Sequence, residues 1–219
     1  MSEYLASELG AIAPNRLHPP SVSVRPLCPK DNEAMRDIIT ASLQEFGCSG
    51  QGFSALDPEM DDLYTAYQRL GWRYWVAEDT ETGQLLGGVG LYPLKGLDAR
   101  YGVAEFHKFY LSPDARGKGV GKALYKAALG YAVASQYRWM YLETHPNMTQ
   151  AIALYEKWGF HRLPLRMGGT GHSGFSVFMI RSLNANAPVK RSLKSISQAI
   201  TAARAGLANQ SLANQSITE

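Results

Sequence analysis

The pattern of apolar and polar residues predicts that ordered structure begins near Val22. The run from Val22 to Arg25 alternates apolar with polar residues, as a half-buried strand does. Asp31 then stands as a cap candidate before an apolar stripe at helical spacing, which runs from Ala34 to Leu43. The chain is therefore predicted to open with a strand that is followed by a helix.

A second helix is predicted over 57–70. Pro58 occupies a first-turn position, Leu63, Tyr67 and Leu70 fall on one face, and Gly71 ends the pattern. The stretch therefore predicts a helix of more than three turns.

Strand-like runs fill the middle of the chain. Runs over 73–78 and 85–92 are joined by Asp-Thr-Glu-Thr-Gly, which has the chemistry of a hairpin turn, and a third run covers 103–111. These three segments predict consecutive neighbouring strands of an antiparallel sheet.

Helical and strand patterns alternate in the second half. A helix is predicted over 119–136, a strand over 139–144, a helix over 149–158, and closing strands over 162–165 and 176–183. Together the segments predict an α/β (α+β) fold, with a mixed, mostly antiparallel sheet of about seven strands and helices on both faces.

At the two ends of the chain, the apolar residues do not recur with the periodicity of a helix or a strand. Residues 1–21 are predicted to form a weakly ordered leader, and residues 184–219, rich in Asn, Ala, Ser and Gln, a flexible tail. The predicted domain organisation is therefore one catalytic domain over 22–183 with a tail on each side. A length of 219 residues and an apolar share of 45% suit one substantial core.

The charge of the chain argues against nucleic acid as a partner. The formal net charge is +3, and the tail contributes it through Lys190, Arg191, Lys194 and Arg204 against Glu219. The predicted domain is therefore near neutral, whereas nucleic-acid binding needs clustered cations. A further hypothesis is a scaffold protein whose basic tail recruits a partner or an anionic surface. It rests on Lys190, Arg191 and Lys194 alone.

The positions of the cysteines and the hydropathy of the chain argue against a zinc site and against a membrane span. Cys28 and Cys48 have no CxxC or His-rich neighbour that would complete a zinc site, so free thiols and no metal are expected. No stretch approaches the roughly 20 apolar residues that span a bilayer, and the N-terminus does not read as a secretory signal. We therefore expect no membrane contact and a cytoplasmic location.

A glycine-rich turn from Tyr110 to Lys122 carries the most chemical information. Three glycines lie where a strand passes into a helix, so the unpaired N–H groups of the first helical turn face any bound anion. A Walker A loop would need glycine at Arg116 and Ser or Thr at Ala123, and a dinucleotide fingerprint would need glycine at Lys122. A phosphate group outside these two motifs is the predicted ligand, and the alternative is a tight turn that caps an ordinary helix.

The spacing Arg-x-x-Gly-x-Gly, formed by Arg116, Gly119 and Gly121, resembles the pyrophosphate-binding motif of GNAT acetyltransferases. Asn147 and the run from Ala151 to Phe160 resemble the downstream motif of the same family. The resemblance spans about residues 22–183, and its specific motifs lie within 105–160.

The resemblance implies the GNAT fold, acetyl-CoA as co-substrate and transfer of its acetyl group to an amine. The coenzyme-binding positions that it implies are Phe109, Tyr110, Leu111, Arg116, Gly117, Lys118, Gly119, Val120, Gly121, Lys122, Asn147, Ala151 and Leu154. Backbone N–H groups near Phe109 and Leu111 would hold the acetyl carbonyl. For Asn147, a helix-cap or turn role is the alternative.

Attack of an amine on a thioester needs a base for the amine proton and an acid for the thiolate. Glu105, eleven residues before Arg116, stands where family members with a glutamate base carry it. His107 is the rival base on the same strand face, and a solvent-facing or ion-paired glutamate is the alternative for Glu105. Tyr155 is the candidate acid, unless it is a packed ring with its hydroxyl at the rim.

The acceptor side is expected to form from 46–62 and 168–175, both glycine-rich. Asp57 and its acidic neighbours could attract a cationic amine, although capping of a helix start is their ordinary role. The acceptor is expected to be a small-molecule or peptide amine, and the family resemblance makes a homodimer possible. A non-catalytic acyl-CoA sensor is the alternative function, since it would need the loop but neither Glu105 nor Tyr155.

Overall fold

The fold is given by a computed structural model that describes residues 21–184. The expectations for the leader and the tail therefore lie outside the described residues, apart from their junctions at 21 and 184.

One mixed sheet forms the centre of the molecule. Its seven strands are β1 (Val22–Pro26), β2 (Arg73–Asp79), β3 (Leu85–Pro93), β4 (Val103–Leu111), β5 (Trp139–Thr144), β6 (His161–Leu163) and β7 (Val177–Ser182). The strand order is β1-β2-β3-β4-β5-β7-β6, and the β4–β5 pair is parallel while the other pairs are antiparallel. The predicted mixed, mostly antiparallel sheet is confirmed.

Helices cover both faces of this sheet. They are α1 (Asn32–Glu45), α2 (Leu63–Ala66), α3 (Val120–Ala134) and α4 (Thr149–Lys157). Neighbouring strand residues alternate between the faces: Val76 and Tyr92 belong to the core under α1, while Ala77 and Leu91 belong to the core under α3. The two layers of helices predicted from the sequence are therefore present.

The predicted helix over 57–70 is wrong. The chain forms a single 3-10 turn over Pro58–Met60, and Asp62 then caps the four-residue helix α2 by accepting a hydrogen bond from the backbone N–H of Thr65. Leu70, expected on the buried face, is 99% exposed. Tertiary contacts account for the break, because the carboxylate of Asp57 contacts the ammonium of Lys108 and that of Glu59 binds Lys95 at 2.7 Å.

Two smaller expectations also need correction. Asp31 stands at the N-cap of α1, but its carboxylate binds Arg25 at 2.6 Å and accepts from the N–H of Cys28 at 2.8 Å instead of capping the helix. Strand β6 ends at Leu163, before the exposed Leu165. The sequence pattern predicted both helix α1 and strand β6, but it did not predict the contacts of Asp31 or the residue at which β6 ends.

The sheet opens between β4 and β5. Their parallel ladder covers only Val103 to Glu105, opposite Trp139 to Tyr141. Farther along β4, Lys108 has a positive φ of 46°, and the β3–β4 register shifts between Gly88 and Gly90. This bulge leaves the second half of β4 without a ladder to β5, and the candidate site lies in the opening.

No helix among residues 21–184 is both long and apolar enough to cross a membrane. Cys28 and Cys48 are free thiols, as expected.

Candidate active site

A pocket lies where β4 and β5 separate. Its polar lining comes from Ser54, Glu105, His107, Lys108, Glu143, Thr144 and His172. Its apolar and aromatic lining includes Phe106, Phe109, Tyr110, Leu142, Met148, Tyr155 and Phe175. Strand β4 thus supplies six consecutive residues, from Glu105 to Tyr110, and the other elements surround them.

Glu105 is buried, with 1% of its surface exposed, so it does not face solvent. Burial, helped by the nearby charge of Glu143, raises the pKa of Glu105 to about 8, although a hydrogen bond with Tyr92 opposes the shift. Its Oε2 atom has no hydrogen-bond partner among the described residues. A carboxylate of this kind is suited to accept a proton near neutral pH.

Glu143 on β5 is a second buried carboxylate in the pocket. It accepts hydrogen bonds from the hydroxyls of Tyr141 at 2.8 Å and Thr170 at 3.0 Å, and Arg166 lies 3.2 Å from it. Burial raises the pKa of Glu143, and the bond from Tyr141 and the charge of Arg166 oppose the shift. Glu143 therefore ties the loop before β7 to the sheet.

Asp57 connects the chain segment after α1 to β4 and to the β6–β7 loop. It contacts the buried ammonium of Lys108, and the Nε2 atom of His172 lies 3.0 Å from its Oδ2. Burial disfavours the ionised carboxylate, but the bond with His172 and the charge of Lys108 outweigh it and lower the pKa of Asp57. The buried ammonium of Lys108 and the half-buried carboxylate of Asp57 therefore compensate each other.

His107 lies beside this pair. Its Nδ1 atom is 2.9 Å from the hydroxyl of Tyr67, and its Nε2 atom is buried without a hydrogen-bond partner in the described part of the chain. Burial, helped by the charge of Lys108, lowers the pKa of His107 well below its ordinary value. His107 is therefore a neutral imidazole, and a base so weak is a poor rival to Glu105.

Asp57, His107 and His172 are one group, among residues 21–184, that could hold a metal ion. Each offers one ligand atom, and these atoms lie within 4.8 Å of one another. The ammonium of Lys108 already contacts Asp57, so this carboxylate has a positive partner within the protein. The absence of a metal stays an expectation.

The other end of the pocket is aromatic. Tyr155 on α4 is 6% exposed and lies among rings, with centroid distances of 6.2 Å to Phe106 and 6.3 Å to Phe109. Burial raises the pKa of Tyr155, so its hydroxyl keeps its proton. Tyr155 thus lines the pocket as a protonated phenol.

The glycine-rich loop opens helix α3 as predicted. Gly119 is the N-cap, with a φ of 83°, and no side chain caps the helix. At Gly121 an added Cβ would lie 3.1 Å from the Phe109 ring and 3.3 Å from Leu111, so glycine permits the close approach of α3 to β4. The first-turn N–H groups of α3 are therefore free to bind an anion.

Side chains around the loop have roles that the sequence did not indicate. Arg116 forms a two-pronged ion pair with Glu45, at 2.6 and 2.7 Å, and so ties the loop to α1. Asn147 donates to the carbonyl of Phe46 at 2.9 Å and does not cap α4, whose N-cap is Met148. Val120 is buried, so only its backbone can reach a ligand.

The structure brings some predicted site residues together and leaves others apart. Glu105, Phe109, Tyr110 and Tyr155 line one pocket. The following residues do not line it: Leu111, Arg116, Gly117, Lys118, Gly119, Val120, Gly121, Lys122, Asn147, Ala151 and Leu154. The outer group follows the end of β4, the start of α3 and one side of α4, which is an extended arrangement suited to a long ligand.

The two segments expected at the acceptor side meet over the pocket. The N–H of Gly174 donates to the carbonyl of Gly52 at 2.9 Å, and the rings of Phe53 and Phe175 make an edge contact at 5.4 Å. The Asp57–His172 contact also joins them, and Ser54, His172 and Phe175 line the pocket. We call segments 50–57 and 170–175 together the acceptor cover.

Sequence reasoning missed several residues of the site. Lys108 and Glu143 interrupt apolar strands, and a charged residue in a buried strand was the available signal. His172 and Arg166 stand in irregular chain, where no local pattern marks them.

Comparison with known proteins agrees with this geometry. The sequence model of the Acetyltransferase (GNAT) family matches residues 33–160. The uncharacterized N-acetyltransferase YjgM of Escherichia coli K12 is 36% identical over 170 residues, which cover 77% of this chain and 99% of that protein. Human N-acetyltransferase 8B is 32% identical over 127 residues, 57% of this chain and 51% of its own length.

Solved structures share the fold. A GNAT-family acetyltransferase from Staphylococcus aureus Mu50 superposes with a TM-score of 0.66 at 17% identity, over 75% of this chain and all of its own. A phosphinothricin acetyltransferase from Sinorhizobium meliloti, solved with acetyl-CoA, gives a TM-score of 0.59 at 27% identity, over 76% of this chain and 92% of its own.

The family model covers more than half of the chain, and a protein aligned over almost its whole length is 36% identical. The chain therefore belongs to the GNAT family of acetyltransferases, and it is an acyltransferase.

Proposed function

We propose that this protein transfers the acetyl group of acetyl-CoA to a primary amine by direct attack within a ternary complex. The observation that carries the proposal is the pair Glu105 and Tyr155. A buried carboxylate with an unpartnered oxygen and a buried protonated hydroxyl line the same pocket, as a base and an acid must. A non-catalytic acyl-CoA sensor would need neither.

The coenzyme would lie along the outer group of residues. The uncapped start of α3 offers N–H groups to the pyrophosphate, and Gly117 and Gly119, with no neighbouring atom within 4 Å of an added Cβ, leave space beside the loop. Lys118 and Lys122 are exposed near this anion site. Ala151 and Leu154 on α4 would flank the pantetheine arm.

In the proposed reaction, Glu105 acts as the base at one end of the pocket and Tyr155 acts as the acid at the other. The neutral amine attacks the thioester carbonyl, and the N–H groups of Phe109 and Leu111 stabilise the oxygen as it gains negative charge. The C–S bond then breaks, Glu105 takes a proton from the amine, and Tyr155 gives its proton to the departing sulfur. The products are an acetamide and CoA.

Support for acetyl-CoA also comes from a neighbour. The Sinorhizobium meliloti enzyme, 27% identical, was solved with acetyl-CoA. A cytoplasmic location, a homodimer and independence from metal belong to the same proposal. Size-exclusion chromatography of the purified protein and turnover in the presence of a chelator test the last two.

Calorimetric titration with acetyl-CoA, followed by thiol-release assays with a panel of amines, tests the function. We expect 1:1 binding and CoA release that depends on the amine. Tyr155→Phe should lower turnover and leave acetyl-CoA affinity within about two-fold, because the ring packing is kept. Binding without release for any amine would favour the sensor, and no binding would refute the coenzyme site.

A further inference from the structure

Two buried polar atoms in the pocket have no hydrogen-bond partner among residues 21–184. They are Oε2 of Glu105 and Nε2 of His107, and both residues line the pocket from β4. Buried polar atoms in folded proteins are nearly always paired. We therefore take the two atoms as positions where a ligand supplies the partner. The proposed chemistry uses Glu105 for the reacting amine but gives no role to His107.

The imidazole of His107 is held so that Nε2 has a fixed direction. Tyr67 binds its Nδ1 atom at 2.9 Å, Tyr92 packs an edge against the ring at 4.9 Å, and His172 stacks on it at 5.4 Å. The nearest carboxylate oxygen, Oδ2 of Asp57, is 3.8 Å away, which is beyond hydrogen-bond range. The Nε2 atom of His107 is thus an oriented hydrogen-bonding atom that lacks a partner among residues 21–184.

The acceptor cover limits what can reach these atoms. Gly52 and Ser173 are so close that a Cβ on Gly52 would lie 2.3 Å from the Ser173 hydroxyl. Arg166 donates to the carbonyls of His172 and Phe175 and so fixes the far side of the cover. A peptide needs an open groove on both sides of its reacting side chain, whereas hydrogen bonds from Gly174 to Gly52 and between His172 and Asp57 join the two segments of this cover.

The distance along β4 limits the size of the ligand. Alternate residues of a strand lie on one face about 7 Å apart. A molecule that contacts both Glu105 and His107 can therefore be small, with its two polar groups about 7 Å apart or less.

We propose that the acceptor is a small-molecule amine with a second hydrogen-bonding group within a few bonds of the reacting nitrogen, and that His107 binds this second group. The inference rests on the proposed transfer of acetyl from acetyl-CoA. We expect peptide and protein amines to be poor acceptors, because the Gly174–Gly52 and His172–Asp57 hydrogen bonds join the two segments of the acceptor cover. His107 is a specificity-determining residue in this scheme.

Thiol release with matched acceptors tests the proposal. The polar amines are 2-aminoethanol, 1,3-diaminopropane and β-alanine, the apolar controls are propylamine and butylamine, and a blocked peptide carries one lysine. We expect the best polar amine to exceed the apolar amines by at least ten-fold in kcat/KM and the peptide by at least a hundred-fold. A peptide used as well as the best small amine would overturn the inference and leave the acetyltransferase function standing.

The variant His107→Phe keeps a ring of similar size. It should raise KM for the best polar amine about ten-fold, reduce the preference over the apolar amine to near unity, and leave acetyl-CoA affinity unchanged. His161→Phe, exposed on β6, is the matched control. An unchanged preference in His107→Phe would overturn the role of His107.

If His107→Phe does not fold, Tyr67→Phe provides the second variant, because it removes only the hydroxyl that orients Nδ1. It should weaken the same preference by a few-fold. If acetyl-CoA binds but neither amines nor peptide release thiol, the proposed function itself fails, and this result is distinct from acetylation of the peptide.

Discussion

The coenzyme end and the acceptor end of the site are built in opposite ways. The coenzyme end is one continuous segment, from the end of β4 into α3, and it offers backbone N–H groups and glycines. The acceptor end gathers Asp57, Lys108, Glu143 and His172 from four separate segments, and it pairs the buried ammonium of Lys108 with the carboxylate of Asp57. Substitutions should therefore damage coenzyme affinity at one end, and turnover, selectivity or stability at the other.

The largest effect is expected from Glu105→Gln, which removes the base and nearly preserves its size. We expect kcat/KM to fall about 10²- to 10⁴-fold. Acetyl-CoA affinity, measured by calorimetry, should stay within about two-fold. If the variant kept wild-type turnover, solvent and not Glu105 would be the base.

The pH profile adds a second measure of the same residue. Glu105 acts without its proton, so wild-type kcat/KM should rise as the pH passes about 8, the pKa to which burial raises this carboxyl. In Glu105→Gln this rise should vanish. Two acceptor amines of different pKa serve as the control. If the pH at which kcat/KM rises changes with the acceptor, the rise reports deprotonation of the amine and not of Glu105.

Asp57→Asn should cause the largest loss of stability. It leaves the ammonium of Lys108 buried without its carboxylate, and breaking such a pair costs about 3–5 kcal/mol. Urea unfolding measures this loss in the free energy of unfolding, and the exposed Asp61→Asn is the control. Adding Lys108→Met to Asp57→Asn should restore more than half of the loss, and additive losses would contradict the coupling.

Gly121→Val tests the coenzyme end. Its side chain would enter the space between α3 and the ring of Phe109, which lies 3.1 Å from an added Cβ. We expect the Kd for acetyl-CoA to rise at least ten-fold, because α3 would shift from its place beside β4. Gly130→Ala, on the exposed side of α3 with no atom within 4 Å, should leave the Kd unchanged and add about 0.5–1 kcal/mol of stability.

The smallest effect is expected at the ion pair of Arg116 and Glu45. It is partly exposed, so Glu45→Gln should cost less than about 1 kcal/mol in urea unfolding. If Arg116 only ties the loop to α1, Arg116→Ala and Glu45→Gln should weaken acetyl-CoA binding equally, by a few-fold. A larger effect of Arg116→Ala alone would mean that its guanidinium also contacts the coenzyme.

Much of the fold was predictable because the periodicity of apolar residues and the residues that favour turns depend only on neighbouring positions in the chain. The strand-like runs over 73–78 and 85–92 and the turn between them predicted the β2–β3 hairpin, with ends within about a residue of those observed. The helix predicted over 57–70 failed for the opposite reason. Its apolar spacing was helical, but distant partners of Asp57 and Glu59 hold the chain in another form.

The sequence by itself determined the seven strands, the two helical layers and the glycine loop at the start of α3. The resemblance of its motifs to the GNAT family made Glu105 and Tyr155 the base and acid candidates. The sequence also named the two segments of the acceptor end, but not the side-chain contacts within it. Whether Lys108 meets Asp57 depends on the bulge in β4 and on the path of two irregular segments, and such contacts across more than 50 residues are decided only when the chain packs.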